Sequence, residues 1–248
     1  MKPVHFLYFF LVLVSCKNDA SKLTKITAKT IAIDSSIAPS TKIVRLIAPY
    51  KEKLIGEMET VLSYTPKAIT KKSVGMQSAL GNLMADMCFE MSAALFAEKT
   101  NGEIDFAMFN NGGLRANIAA GAVTKEEAFK LMPFENELVV VKLSAKKVVA
   151  LVQYFIANKK AHPLSKNIGL RIKATEFQLH INGKKFDTNK TYNVLTSDYL
   201  LEGGDKMDFF KNPEKLTRLD YKVRAAVLHY FEKVDTLKTA IDTRVILE

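Results

Sequence analysis

The sequence predicts an α+β fold, a mixed β-sheet covered by helices. Three observations carry this expectation. Apolar residues recur at helical spacing over residues 43–58 and again over 80–96. Short β-rich runs lie between the helical segments, among them 104–109, 137–143 and 192–196. Two further runs, 168–173 and 176–181, flank a hairpin signal, Ile181-Asn182-Gly183-Lys184. Helices interspersed with strands, at least one pair of them antiparallel, define the α+β class.

Taken in chain order, Lys2 precedes an apolar run from Val4 to Val14 and then Ser15-Cys16. A positive start, an apolar run of this length and a small residue before the cut describe a signal peptide over residues 1–15. The run is shorter than the roughly 20 residues that a membrane-spanning helix needs. Leu13-Val14-Ser15-Cys16 resembles a bacterial lipobox, which makes Cys16 the lipidated residue. An ordinary secretion signal with an incidental cysteine is the alternative. Residues 16–40 are polar and rich in Lys, Ser, Thr and Ala, the composition of a flexible tether. Patterned sequence then runs from 41 to 248 without a linker or repeat, as one domain.

Within that domain Ile43, Val44, Ile47, Tyr50, Leu54 and Ile55 recur as on one helix face, with Pro49 a point of bending. Residues 61–69 read as extended. The 80–96 helix places Leu80, Leu83, Met84, Met87, Cys88, Met91 and Leu95 on a shared face, with Ser78 as N-cap. Cys88 reads as a packed core thiol and the methionines as core filler. Thr124-Lys125-Glu126-Glu127 reads as a capping box opening a short helix that Pro133 ends. Ser144 caps a helix to about Asn158, Tyr221 to Val234 reads as a helix, and Val245-Ile246-Leu247 as a closing strand.

The formal net charge is +10, but the lysines are spread along the chain rather than gathered in a block, and no nucleic-acid-binding motif is present. A solvated basic surface on an anchored protein accounts for it. The histidines stand far apart and without a companion His, Cys or Asp at ligand spacing, so each of His162, His180 and His229 reads as structural. No Gly-x-Ser-x-Gly, P-loop or dinucleotide fingerprint occurs. The chain carries binding chemistry without visible bond-breaking chemistry, and no catalytic or metal-ligating residue is assigned.

Three loops carry that binding chemistry. Asn110-Asn111-Gly112-Gly113-Leu114-Arg115 follows the 104–109 strand. Its glycines let a ligand approach the backbone, Asn supplies a donor and an acceptor, and Arg supplies a fork of donors for phosphate, carboxylate or diol oxygens. Tyr199-Leu200-Leu201-Glu202-Gly203-Gly204-Asp205 follows the 192–196 strand, and Asp205 can accept from two neighbouring hydroxyls, as on a ribose. Phe134, in Leu131-Met132-Pro133-Phe134-Glu135-Asn136-Glu137, is either core or an exposed stacking ring. For each loop the plain alternative is a surface turn.

Together with Leu80-Gly81-Asn82-Leu83-Met84-Ala85-Asp86, these loops give a resemblance, in order and spacing, to the C-terminal domain of the 5′-nucleotidase family over about residues 41–247. In that family this domain binds the nucleoside part of the substrate, while an N-terminal metallophosphoesterase domain holds two metals and cleaves the ester. The resemblance implies substrate-binding roles for Asn110 and Arg115, a stacking pair in Phe134 and Tyr199, and a ribose acceptor in Asp205. It implies that Gly81 and Asn82 shape a helix start. The departures are Asn111 in place of a common Gly, Glu135-Asn136 after Phe134, and Gly75-Met76-Gln77 where some relatives carry another substrate-binding Arg. Lys71 and Lys72 are the nearby cations. The metallophosphoesterase ligands have no counterpart in these residues.

The expectation is thus the nucleotide- or nucleoside-recognition half of a split 5′-nucleotidase at a bacterial cell envelope. It has no cofactor of its own, and divalent metals belong to a separately encoded metallophosphoesterase. The alternative is a non-catalytic nucleoside- or nucleotide-binding lipoprotein.

Overall fold

The computed structural model describes residues 23–248. The expected signal peptide and Cys16 lie outside the described residues. The chain divides into two compact units, one up to Ala48 and one from Pro49 to Glu248. In the first, residues 23–33 have no regular structure and a turn closes from Asp34 O to Ile37 N at 3.1 Å. Helix α1 (Thr41–Met58) starts there and continues through Pro49, as its periodicity predicts, but none of its residues is buried.

The second unit is built on two four-stranded sheets and a strand pair. Its elements are β1 (Val61–Thr65), α2 (Ala79–Thr100), β2 (Phe106–Ala107), β3 (Gly121–Thr124), α3 (Lys125–Leu131), β4 (Glu137–Ser144) and α4 (Ala145–Asn158). Then come β5 (Ile168–Lys173), β6 (Glu176–Ile181), β7 (Lys184–Lys185), β8 (Thr191–Ser197), α5 (Asp198–Leu201), β9 (Lys215–Lys222), α6 (Val223–Lys233) and β10 (Val245–Leu247). The central sheet has the order β2-β8-β4-β9, with β2 parallel to β8 and the other neighbours antiparallel. The second sheet runs β10-β5-β6-β7, and β1 pairs with β3. Both large sheets mix parallel with antiparallel pairs, so the fold is α+β.

The run Leu138-Val139-Val140-Val141 is apolar without a break because β4 is covered on both faces. Leu138 and Val140 join one core with helices α2, α3 and α6. Val139, Val141 and Leu143 join a second core with α4 and the inward residues of the other sheet, such as Leu170, Ile172 and Ile181. Side chains alternate across a strand, so one strand serves both cores. Asn182 and Gly183 adopt φ of 51° and 72°, the paired left-handed conformation that the Asn-Gly hairpin requires.

Several local expectations are corrected. The strand over 104–109 shortens to Phe106–Ala107, because Met108 and Phe109 turn to the segment around Leu164 and Pro163. The capping box does not form: Thr124 makes no side-chain cap bond, and Lys125 N donates instead to Thr60 O at 2.9 Å. Ser144 begins α4 but makes no cap bond either. Both residues end a strand, so their backbones are already fixed by ladder pairing with Val61 and Thr191. Tyr221 and Lys222 end β9, a strand absent from the sequence reading, and α6 starts at Val223. Ser78 does cap α2, its Oγ accepting from Gly81 N at 3.0 Å.

The Gly81-Asn82 segment is architectural. A β-carbon on Gly81 would fall 2.7 Å from the capping Ser78 Oγ. Asn82 donates to Gln77 Oε1 and Ala240 O, and Gln77 Nε2 donates to Asp242 O and Val245 O. Arg244, buried, donates to Asp86, Asp242 and Leu164 O. Burial opposes ionisation of Asp242, but the hydrogen bonds from Arg244 outweigh it and hold this carboxyl below its usual range. The helix start thus fastens the C-terminal segment that supplies β10.

Candidate functional site

Topology brings the candidate residues to one end of the central sheet. Parallel β2 and β8 both deliver their C-terminal ends there, leading to Asn110 and to Tyr199. Antiparallel β4 starts at the same end, where Leu138 faces Ser197, so Phe134 precedes it at that edge. Strand β9 finishes there too, with Lys222 opposite Glu137, and passes into α6. Loops beyond the ends of parallel strands are favoured places for ligand sites.

Asn110, Arg115, Phe134, Tyr199 and Asp205 all line a single cavity of about 560 Å³. Its volume suits a ligand of small-molecule size. Met84, Phe109, Leu114, Met132 and Val223, all buried, form an apolar floor. Phe134 is 41% and Tyr199 45% exposed, so neither ring is a core residue. The Arg115 guanidinium lies 5.9 Å from the Phe134 ring centroid.

The Asp205 carboxylate holds the two strand-end loops together. Its Oδ2 accepts from Asn110 Nδ2 at 2.7 Å and its Oδ1 from Tyr199 Oη at 3.1 Å. Its carbonyl accepts from Tyr154 Oη at 2.7 Å. Asp205 sits at φ 53°, a left-handed conformation rare outside glycine. A β-carbon at Gly204 would overlap the Tyr199 ring, so the absent side chain is what lets the ring lie against the backbone. Burial, with the neighbouring Asp205 and Tyr199, raises the Tyr154 phenol above its ordinary range.

His162 braces the other loop from behind. It is buried, and its Nδ1 accepts from Asn111 N at 3.2 Å, which puts the ring proton on Nε2. Desolvation lowers its pKa to about 4, although Asp205 pulls the other way. Asn111 donates through Nδ2 to Ala161 O at 3.1 Å. Lys71 does not line the cavity: its Nζ donates to Leu114 O at 2.9 Å, supporting the Arg115 loop from outside. Met76 is buried in the second core.

Arg224 is a residue the sequence reading missed. Its guanidinium lies 4.5 Å from the Phe129 ring centroid and donates to Met132 O, Phe134 O and the Glu135 carboxylate. It therefore clamps the segment that carries Phe134. Asn136 ties the same segment to α5 by donating to Asp198 Oδ1 at 2.9 Å. Arg224 has no motif of its own, and only the proximity of α6 to the 132–136 loop reveals its role. Among the described residues no group of three or more His, Cys, Asp or Glu is arranged to hold a metal ion. Cys88 is buried, and desolvation pushes its thiol far above the ordinary range.

A fold of two mixed sheets with the loops gathered at one sheet end defines a ligand-binding domain. Residues 55–212 match the family model of the 5′-nucleotidase, C-terminal domain, and the chain belongs to that family. It is 24% identical to the cell wall protein Lmo0130 of Listeria monocytogenes over 75% of this chain and 26% of the relative. It is 23% identical to the protein UshA of Escherichia coli, over 83% of this chain and 37% of the relative. A 5′-nucleotidase precursor from Thermus thermophilus has the same fold, with TM-score 0.66 and 18% identity over 85% of this chain and 44% of that one. The NAD nucleotidase of Haemophilus influenzae aligns with TM-score 0.63 and 18% identity over 84% of this chain and 41% of that one. The chain thus spans less than half the length of each of these proteins.

Proposed function

We propose that the chain is the nucleoside- or nucleotide-recognition half of a split 5′-nucleotidase. A separately encoded metallophosphoesterase at the same bacterial cell envelope carries the divalent metals and cleaves the phosphate ester. The observation that carries this reading is the convergence of Asn110, Arg115, Phe134, Tyr199 and Asp205, from separate loops, on one cavity with an apolar floor. In this reading a flat base stacks between Phe134 and Tyr199, whose ring is backed by Gly204. Asp205 exchanges its bonds with Asn110 and Tyr199 for the ribose hydroxyls, so the same carboxylate that ties the loops together grips the sugar. Arg115 faces the more polar end of the ligand. Resemblance to longer family members supports a partner. Residues 1–15 act as a lipoprotein signal, Cys16 takes the lipid, 16–40 form the tether and 41–248 the recognition domain.

Calorimetry with adenosine and AMP tests the binding role, and submicromolar to millimolar affinity is expected. Absence of binding to any nucleoside or nucleotide overturns it. A nucleotidase assay on the anchored protein and whatever is pulled down with it tests the split arrangement. Phosphate release from AMP by the purified chain alone, with divalent metal, would overturn that part. Binding without any catalytic companion selects the lipoprotein that only captures nucleosides.

A further inference from the structure

We infer that helix α1 lies in the surface of an anionic lipid bilayer. The helix is the largest collection of uncovered apolar side chains in the described residues. Ile43, Val44, Leu46, Ile47, Tyr50, Leu54 and Ile55 are between 42% and 73% exposed, and no residue of the helix is buried. At 3.6 residues per turn, Ile43, Leu46, Ile47, Tyr50 and Leu54 fall on one side, interrupted near the C-terminal end by Glu57, with Arg45 and Glu52 opposite them. Lys42 and Lys53 border the apolar side along one edge and Lys51 stands toward the other, where long stems can lie on hydrocarbon while ammonium groups reach phosphate.

Charge selects the occupant. Lys42, Arg45, Lys51 and Lys53 outnumber Glu52 and Glu57 within the helix. The segment before it adds Lys25 and Lys29 against Asp34, with Ile26, Ile31, Ile33 and Ile37 exposed beside them. A basic, amphipathic and uncovered helix matches an interfacial membrane helix. No helix among the described residues is long and apolar enough to cross a membrane, so α1 would lie along the surface rather than span it. The inference draws on the envelope placement proposed above. It adds that the helix, and not the lipid alone, sets the recognition domain at the membrane.

The chain contains no tryptophan, so Tyr50→Trp introduces a single fluorescent reporter on the apolar side. The full chain carrying it is purified from membranes and reconstituted in vesicles of phosphatidylglycerol or of phosphatidylcholine alone. We expect a blue-shifted emission, quenched by brominated acyl chains, on the anionic vesicles and much less on the zwitterionic ones. Leu46→Glu with Ile47→Glu in the same background should return the emission to its solvent-exposed wavelength. Nucleoside affinity should stay within about twofold, which also shows that the domain is folded. Solvent-like emission from protein that sediments with the vesicles overturns the helix inference while leaving the lipid anchor intact. A blue shift that needs no lipid and accompanies a doubled mass assigns the face to a second copy. One that appears only with an added metallophosphoesterase assigns it to that protein. Either result overturns the membrane assignment.

Discussion

In the proposed binding mode Asp205 does two jobs that compete, and the competition is measurable. It accepts from Asn110 and Tyr199, and a ligand diol would replace both bonds. Asp205→Asn keeps the shape and removes the charge, and it should lower nucleoside affinity by about 1.5–3 kcal/mol, the usual worth of hydrogen bonds to a charged group. A 2′,3′-dideoxynucleoside should bind both forms equally weakly in titration calorimetry. Phe134→Ala and Tyr199→Ala should each cost roughly 1–3 kcal/mol of adenosine or AMP affinity, the range for a base stacked on a ring. Unchanged calorimetric affinity in both variants removes the stacking assignment. Gly204→Ala should weaken binding about as much as Tyr199→Ala, because its β-carbon would drive the ring from its place.

At the scale of elements, the four strand ends explain why the loops meet. The Asn-Gly-Gly-Leu-Arg and Gly-Gly-Asp loops are visible in the sequence as glycine pairs after β-rich runs. Their meeting follows from β2 and β8 being parallel neighbours, a pairing between residues almost ninety positions apart that no local pattern encodes. The capping-box expectation failed for a related reason. Thr124 scores as a cap locally, yet its backbone is claimed by β3 and its neighbour's donor by Thr60. Arg244 fastens β10 to the start of α2, and Arg244→Met would leave Asp86 and Asp242 without their cation. Because both carboxylates keep contact with solvent, chemical denaturation should show a loss of about 1.5–3 kcal/mol, the worth of hydrogen bonds to a charged group.

For the whole molecule, pH should act through His162. Its folded pKa of about 4 lies below the ordinary 6.5, so between these values the unfolded chain binds the extra proton. The associated stability is present above pH 6.5 and is lost as the pH falls through 4, amounting to roughly 3 kcal/mol in full. Thermal melts should decline over that window, and His162→Gln should flatten the decline. Since Nδ1 of the folded imidazole accepts from Asn111, nucleoside affinity should fall only as the pH drops through about 4, where that nitrogen takes up its proton. Basic composition takes on a location at this scale as well. The lysines look dispersed along the sequence, but those of α1 border an uncovered apolar face.

The sequence by itself determined the fold class, the helix over 80–96 with its Ser78 cap, the Asn-Gly hairpin and the loops that line the cavity. These rest on short-range rules, periodicity and turn stereochemistry, which act within a few residues. Tertiary structure alone decided that β9 is a strand, that Arg224 holds the Phe134 loop, that His162 braces Asn111, and that α1 covers no core. Each depends on which surfaces meet across long stretches of chain. Periodicity marks a face as apolar without naming what, if anything, lies against it.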